Sequence, residues 1–325
     1  MRRPRVLLHT AALLAVSAVT LLGGCRNPQT RLLFHAGAGV RGGLDEIGTL
    51  YQERYPDVRV DFSYKGSGYF LADIQASERG DLYMPGEEPY LLQAVERGYI
   101  TDYDPERDIA AYFVTVIMTP RGNPKGVKRV EDFARPGLRV GLGDPEACAI
   151  GIWHEKIFKR AGIWEEVRRN ATLAAKCIPE LGNAVQLGAV DATIVWASTA
   201  ILYLRDSEII PMEPRYRGII RLPVATLKFS QNPEAARALK EFVLSDEGKR
   251  IFRSHALLTK PGLVDAEGFC ADGGRASDPD LQCLVRAAEV AKDDSIPATE
   301  ESCGHLVKEV QRQRAAVRGA RKADR

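Results

Sequence analysis

From residue 31 onward, short apolar and β-branched runs alternate with stretches whose apolar residues recur every three or four positions. Runs of the first kind fit strands and those of the second fit amphipathic helices, so their alternation argues for an α/β fold with largely parallel sheets. Residues 31–35 read as a strand ending in the turn Gly37-Ala38-Gly39, after which Leu44, Ile47, Tyr51 and Tyr55 share one helical face. Residues 58–64 alternate as a second strand, broken at Gly66-Ser67-Gly68, where a helix burying Phe70, Leu71 and Ile74 begins. A short strand at 81–84 leads to a helix carrying Leu91, Leu92 and Val95. Gly98 stops that helix, because glycine enters the left-handed C-terminal conformation without a Cβ clash.

Two runs are longer, 112–119 and 219–227. Between them lies a second α/β set: a strand at 138–142, a helix at 152–161 closed by Gly162, and a strand at 192–196. Beyond them, Asn232-Pro233 opens a helix with Leu239, Phe242 and Val243 on one face. Two long strands bracketing a complete α/β unit imply a chain that leaves one lobe, builds a second and returns. The expected division is residues 31–117 with 224–260 for lobe one and 118–223 for lobe two. Hinges are expected near 115–120 and 222–227. Residues 261–325 differ in composition, with three cysteines and many charges, and read as a C-terminal extension.

The segment ahead of the α/β region has a different pattern. Arg2, Arg3 and Arg5 precede a mostly apolar stretch at 6–22, followed by Leu22-Gly23-Gly24-Cys25. A basic start, an apolar centre and small residues before a cleavage point mark a signal peptide over 1–24. A Cys directly after Leu-Gly-Gly resembles a bacterial lipobox, which implies acylation of Cys25, a short linker at 25–30 and an exported, lipid-anchored protein.

The 325 residues are 45% hydrophobic, enough for a substantial core, and the net charge of +2 implies no general field for nucleic acid. The basic excess sits in the tail, where Arg312, Arg314, Arg318, Arg321, Lys322 and Arg325 crowd together and read as a solvated terminus. Of six cysteines, Cys25 is assigned to acylation, leaving an odd number that cannot all pair with one another. No Cys-x-x-Cys pair or His-x-x-x-His spacing occurs, which argues against a structural zinc site.

The chemistry on offer is anion binding. A Gly-rich turn between strand and helix presents free backbone N–H groups at the positive end of a helix. Gly37-Ala38-Gly39 and Gly66-Ser67-Gly68 are two such turns in lobe one. In lobe two, 144–151 and Pro179-Glu180-Leu181 are others. No Gly-Lys-Ser/Thr follows any of them, so none is a phosphate loop of the nucleotide-binding kind.

These turns carry a resemblance. Phe34-His35-Ala36-Gly37-Ala38-Gly39 looks like the first binding loop of molybdate- and tungstate-binding periplasmic proteins, and Gly66-Ser67-Gly68 falls at their second serine loop. Gly80-Asp81-Leu82-Tyr83 is similar to one of their strands, residues 141–151 contain their Asp-Pro turn, and Ala192-Thr193-Ile194-Val195-Trp196 resembles the strand whose last aromatic faces the ligand. The resemblance runs in order over about residues 31–258. It implies a two-lobed type II periplasmic binding fold, each lobe a mixed sheet flanked by helices, joined by a two-strand hinge. The implied activity is capture of a small oxyanion and its delivery to an ABC transporter permease, by a monomer with no cofactor.

Carried over residue by residue, the first loop places Gly37, Ala38 and Gly39 at the ligand, and the second places Ser67 and Gly68 there. The two amide positions of the Asp-Pro turn fall on Cys148 and Ile150, and the aromatic donor falls on Trp196. The first loop departs from the family in lacking a hydroxyl, and Trp196 stands where the family has Tyr. A donor-only pocket suits a fully deprotonated tetrahedral anion and rejects hydrogen phosphate, whose proton needs an acceptor. If both lobe-two turns face one anion, Cys148 and Cys177 approach each other, and a disulfide between them is an expectation of the resemblance. Rival ligands are sulfate, phosphonate and ferric ion, the last through Tyr64, Tyr69 and Tyr83. A rival of another class is an enzyme with Cys148 as nucleophile and His154 as base.

Overall fold

The computed structural model describes residues 30–260, 265 and 267–270. The expected signal peptide, Cys25, Cys283 and Cys303 lie outside the described residues. The chain runs β1 (Thr30–Gly37), α1 (Arg41–Arg54), β2 (Val58–Lys65), α2 (Ser67–Ser77), β3 (Leu82–Met84) and α3 (Glu88–Glu96) before β4 (Ile109–Pro120). It continues through β5 (Val140–Gly143), α4 (Ala149–Arg160), α5 (Trp164–Asn170), β6 (Ala171–Ala175), α6 (Ile178–Gln186), β7 (Ala192–Trp196), α7 (Ala197–Ala200) and β8 (Ser207–Ile210). It closes with β9 (Ile219–Pro223), β10 (Ala225–Thr226), α8 (Pro233–Leu244) and α9 (Asp246–Ser254).

Two mixed sheets result, flanked by helices. The first has the order β10-β3-β1-β2, in which β1 runs parallel to β2 and β3 while β10 is antiparallel to β3. The second has the order β6-β5-β7-β4-β8, with β5 parallel to both neighbours and β4 antiparallel to β7 and β8. All but two of the twelve residues of β4 are buried, as a strand rich in Val, Ile and aromatic residues requires when covered on both faces.

That strand changes partners along its length. Residues 109–114 pair with β9, and residues 115–120 pair with β7 and β8. The run at 219–227, expected as one strand, is divided at Val224: β9 stays with β4, while β10 joins β3 in the other sheet. Pro223, lacking an N–H to donate, stands at the break.

Helix ends follow local chemistry. Ser245 caps α9 by accepting the Gly248 N–H at 3.2 Å, and Gly98, at φ +67°, ends the chain's turn out of α3. The return of α8 to the first sheet is anchored by a buried ion pair, Lys240 Nζ to Asp108 at 2.8 Å, just ahead of β4.

Candidate functional site

Four turns from the two sheet systems meet at one place. The β2–α2 turn lies directly on backbone of the second sheet system: a Cβ on Gly66 would stand 2.3 Å from the Ala147 carbonyl oxygen and 2.9 Å from that of Lys176. A Cβ on Gly68 would stand 2.4 Å from the Glu146 carbonyl oxygen. Both positions therefore require glycine for close backbone approach. On the other side, Ser198 Oγ donates to the Gly39 carbonyl at 3.0 Å, tying α7 to the first turn.

Ser67 is buried at the first residue of α2, and its Oγ accepts the Gly86 N–H at 2.9 Å. A hydroxyl that accepts in this way keeps its proton free to donate to an anion. Gly86 also packs against the first turn, since a Cβ on Gly37 would stand 2.9 Å from the Gly86 nitrogen. Trp196 ends β7 and is 2% exposed, its ring stacked on Phe113 at 4.7 Å and 5°. Its pyrrole edge faces the first turn: a Cβ on Gly39 would stand 2.8 Å from Cδ1. Among the described residues the Trp196 indole N–H has no hydrogen-bond acceptor.

The Asp-Pro turn departs from expectation. The Cys148 N–H donates to the Asp144 carbonyl at 2.8 Å, so this amide closes the turn and is not available to a ligand. Cys148 instead sits at the N-cap of α4, which begins at Ala149, earlier than the sequence pattern implied. Ile150 lies in the first turn of α4, and its backbone N–H is directed at the Cys148 thiol. Asp144 behaves as a turn residue, its Oδ1 accepting the Glu146 N–H at 2.9 Å. The start of α6 supplies the fourth contribution, with Cys177 at the N-cap and Ile178 first in the helix.

The expected Cys148–Cys177 disulfide is absent; both stand as free thiols. The Cys177 thiol is turned onto Glu180, donating to Oε1 at 3.4 Å, while Cys148 is buried under the Asp-Pro turn. Burial pushes the Cys148 thiol up to about 12, the reverse of what a nucleophile requires. His154 cannot serve it as a base. Its Nδ1 accepts the Gly143 N–H at 2.9 Å, its Nε2 lies 2.7 Å from the Ile194 carbonyl, and burial lowers it to about 4. Of the tyrosines of the ferric reading, Tyr64 and Tyr69 line one cavity, but Tyr83 does not join them. Tyr83 is fully buried against Phe70, and the Tyr64 hydroxyl donates to Asp45 at 2.7 Å. Among the described residues no group of three or more His, Cys, Asp or Glu side chains is placed to hold a metal ion.

Sequence reasoning missed Glu87. It follows Gly86 at the start of α3, is 4% exposed, and accepts the Trp153 indole N–H at 3.1 Å from α4 of the other sheet system. Its second oxygen, Oε2, is buried without a hydrogen-bond partner. Burial raises the carboxyl to about 7, against the opposing pull of Lys156 and of the Trp153 hydrogen bond. Phe113 and Ser198 were missed as well. The Pro85-Gly86 pair directly after β3 was the one local signal that this turn approaches another backbone.

The geometry has counterparts among known proteins. The family model described as "Bacterial extracellular solute-binding protein" matches residues 32–257. The molybdate-binding protein ModA of Mycobacterium tuberculosis is 23% identical over 221 residues, covering 68% of this chain and 81% of the relative. Among solved structures, the sulfate-binding protein SubI of Mycobacterium tuberculosis superposes with a TM-score of 0.64 at 20% identity. That likeness covers 87% of this chain and 99% of SubI. The periplasmic molybdate-binding protein of Azotobacter vinelandii gives a TM-score of 0.62 at 13% identity, over 70% of this chain and 99% of its own. At such identities the structural likeness speaks for the fold alone. These relatives are binding proteins, not enzymes. With the family match spanning the whole two-sheet region, the chain belongs to the bacterial extracellular solute-binding proteins and has the type II periplasmic binding fold.

Proposed function

We propose that the chain is a lipid-anchored, extracytoplasmic receptor that captures a tetrahedral oxyanion and delivers it to an ABC transporter permease. Molybdate or tungstate is the simplest occupant. The cleft lies between residues 31–117 with 224–260 on one side and 118–223 on the other, with β4 and β9 as the hinge. Anchoring rests on the Leu22-Gly23-Gly24-Cys25 sequence.

The observation that carries the reading is Trp196. Its indole N–H has no acceptor among the described residues, and the ring edge stands beside the Gly37-Ala38-Gly39 turn, where an anion can accept it. The Ser67 hydroxyl and the first turns of α2, α4 and α6 add donors around the same point. This arrangement satisfies a fully deprotonated anion without a lysine or arginine in the cradle itself. The mycobacterial relative named for molybdate supports the choice of anion, and the sulfate-binding structure names the first competitor to test.

Calorimetric titration of the chain from residue 26 onward with molybdate, tungstate, sulfate and phosphate tests the proposal. The two heavier anions are expected to bind most tightly and nearly equally. Trp196→Phe, which keeps the ring and removes the donor, is expected to weaken them by about 1–3 kcal/mol, the usual range for a hydrogen bond to a charged group. Phosphate binding as tight as molybdate, or a Trp196→Phe protein of unchanged affinity, would count against it.

A further inference from the structure

A cavity of about 550 Å³ opens between the two sheet systems beside the anion cradle. Ala38 and Gly66 of the two glycine-containing turns line it from one side, and Cys177 and Pro179 at the start of α6 line it from the other. It is therefore an extension of the cradle rather than a separate surface feature. A bare tetrahedral oxyanion has no use for such space, because pockets of about 300–1,000 Å³ are those that hold small organic molecules.

The charge on its walls points to the kind of molecule. Arg41, Lys65 and Lys176 all line the cavity. Lys65 is committed to Asp73. Arg41 lies over the Tyr64 ring with its guanidinium carbon 4.7 Å from the centroid. Among the described residues neither Arg41 nor Lys176 forms an ion pair with a carboxylate. Glu180, the acidic side chain in the wall, is engaged with the Lys176 backbone N–H at 2.8 Å and with the Cys177 thiol. Two cations without a carboxylate partner thus line the cavity from the two sheet systems, Arg41 from the start of α1 and Lys176 from the residue before the α6 cap. Tyr69 and Tyr203 add aromatic walls with hydroxyl groups.

We propose, building on the oxyanion reading above, that this cleft also seats an organic oxyanion with two anionic groups. The tetrahedral head, a phosphonate or phosphate ester, occupies the cradle, and a carboxylate one or two carbons away enters the cavity between Arg41 and Lys176. The planar guanidinium offers paired donors to a carboxylate, the lysine offers a point charge from the facing wall, and the tyrosine rings cover the carbon linker.

The test compares phosphonoacetate with methylphosphonate, which has the same head and no carboxylate, at a pH where both heads are dianions; molybdate serves as the reference anion. Wild-type protein is expected to bind phosphonoacetate at least about tenfold more tightly than methylphosphonate. The Arg41→Gln/Lys176→Gln variant is expected to lose that advantage while its molybdate affinity changes by less than about threefold. Both side chains are exposed, so the replacement leaves the fold intact. Equal affinity for the two phosphonates alongside molybdate binding overturns the second subsite and leaves the oxyanion reading standing. A uniform loss for all three anions in the variant also overturns it, because the cations then act only as a general field. Failure of wild-type protein to bind any of the three overturns the oxyanion reading and the subsite together.

Discussion

Trp153 on α4 donates its indole N–H to Glu87 at the head of α3, a 3.1 Å hydrogen bond that joins the two sheet systems through a buried carboxyl. The hydrogen bond itself favours the ionised carboxylate, but burial and the unpartnered Oε2 outweigh it, so ionising Glu87 in the folded protein is costly. The folded protein holds this carboxyl near 7 against an ordinary 4.5, so folding favours proton uptake. Its contribution is fully present below about pH 4.5 and is lost as pH rises through about 7, a change of about 3 kcal/mol.

Glu87→Gln removes that dependence and keeps the acceptor. The variant is expected to gain stability relative to wild type as pH rises across this window. Denaturant midpoints of both proteins at several pH values check it, and parallel profiles would remove Glu87 from the account. His154 has the opposite sign, because burial lowers it from 6.5 to about 4. Its contribution is present above 6.5 and is lost as pH falls through about 4, so it offsets Glu87 in wild type and becomes visible in the variant.

Gly66→Ala addresses the contact between the turns. The new Cβ would meet two carbonyl oxygens of the opposing backbone, and neither is the end of a flexible side chain. Overpacking of this kind costs about 1–3 kcal/mol, which corresponds to a loss of about fivefold to 150-fold in anion affinity if it wedges the cleft open. Small-angle scattering with saturating molybdate should show a larger radius of gyration than wild type. Full closure with unchanged affinity would contradict the close approach.

Much of this contact was legible in the chain. Gly66-Ser67-Gly68 between a strand pattern and a helix pattern announces a turn with free N–H groups, and the 192–196 run ending in Trp announces an aromatic at a strand terminus. Gly86, Glu87, Phe113 and Ser198 were not legible, because their roles arise only when segments distant in sequence are brought together. The Cys148 amide was misassigned because a hydrogen bond to Asp144, four residues back, leaves no compositional trace. β6 and β8 were missed for a simpler reason: each is only four or five residues long, and both carry partly exposed positions that dilute the apolar signal.

Ser67→Ala acts on two partners. It removes a donor from the cradle and leaves the buried Gly86 N–H without its acceptor, so the unliganded protein should already lose about 1–3 kcal/mol. Thermal melting without and with molybdate separates the two effects. A ligand-free melting temperature equal to wild type would mean that the Gly86 contact is dispensable.

Cys177 and Cys148 should differ sharply towards alkylating agents. Cys177 is half-buried and lines the cavity, whereas Cys148 is buried and its thiol is raised to about 12. Limited treatment with iodoacetamide followed by peptide mapping should find Cys177 modified well before Cys148. Faster labelling of Cys148 would mean that the Asp-Pro turn opens readily in solution.

The division of the 219–227 run has a consequence for how the chain acquires its structure during synthesis. β1, β2 and β3 leave the ribosome early, but the strand that completes their sheet, β10, begins only at Ala225, after the whole second sheet has been made. Until then β3 presents an open edge, with backbone groups ready to pair with any extended segment, including one from a neighbouring nascent chain. A chain cut short before Ala225 keeps that edge permanently. Truncated products of this length should aggregate, whereas products that include α8 and α9 bring the edge strand and the Lys240 anchor together and should not.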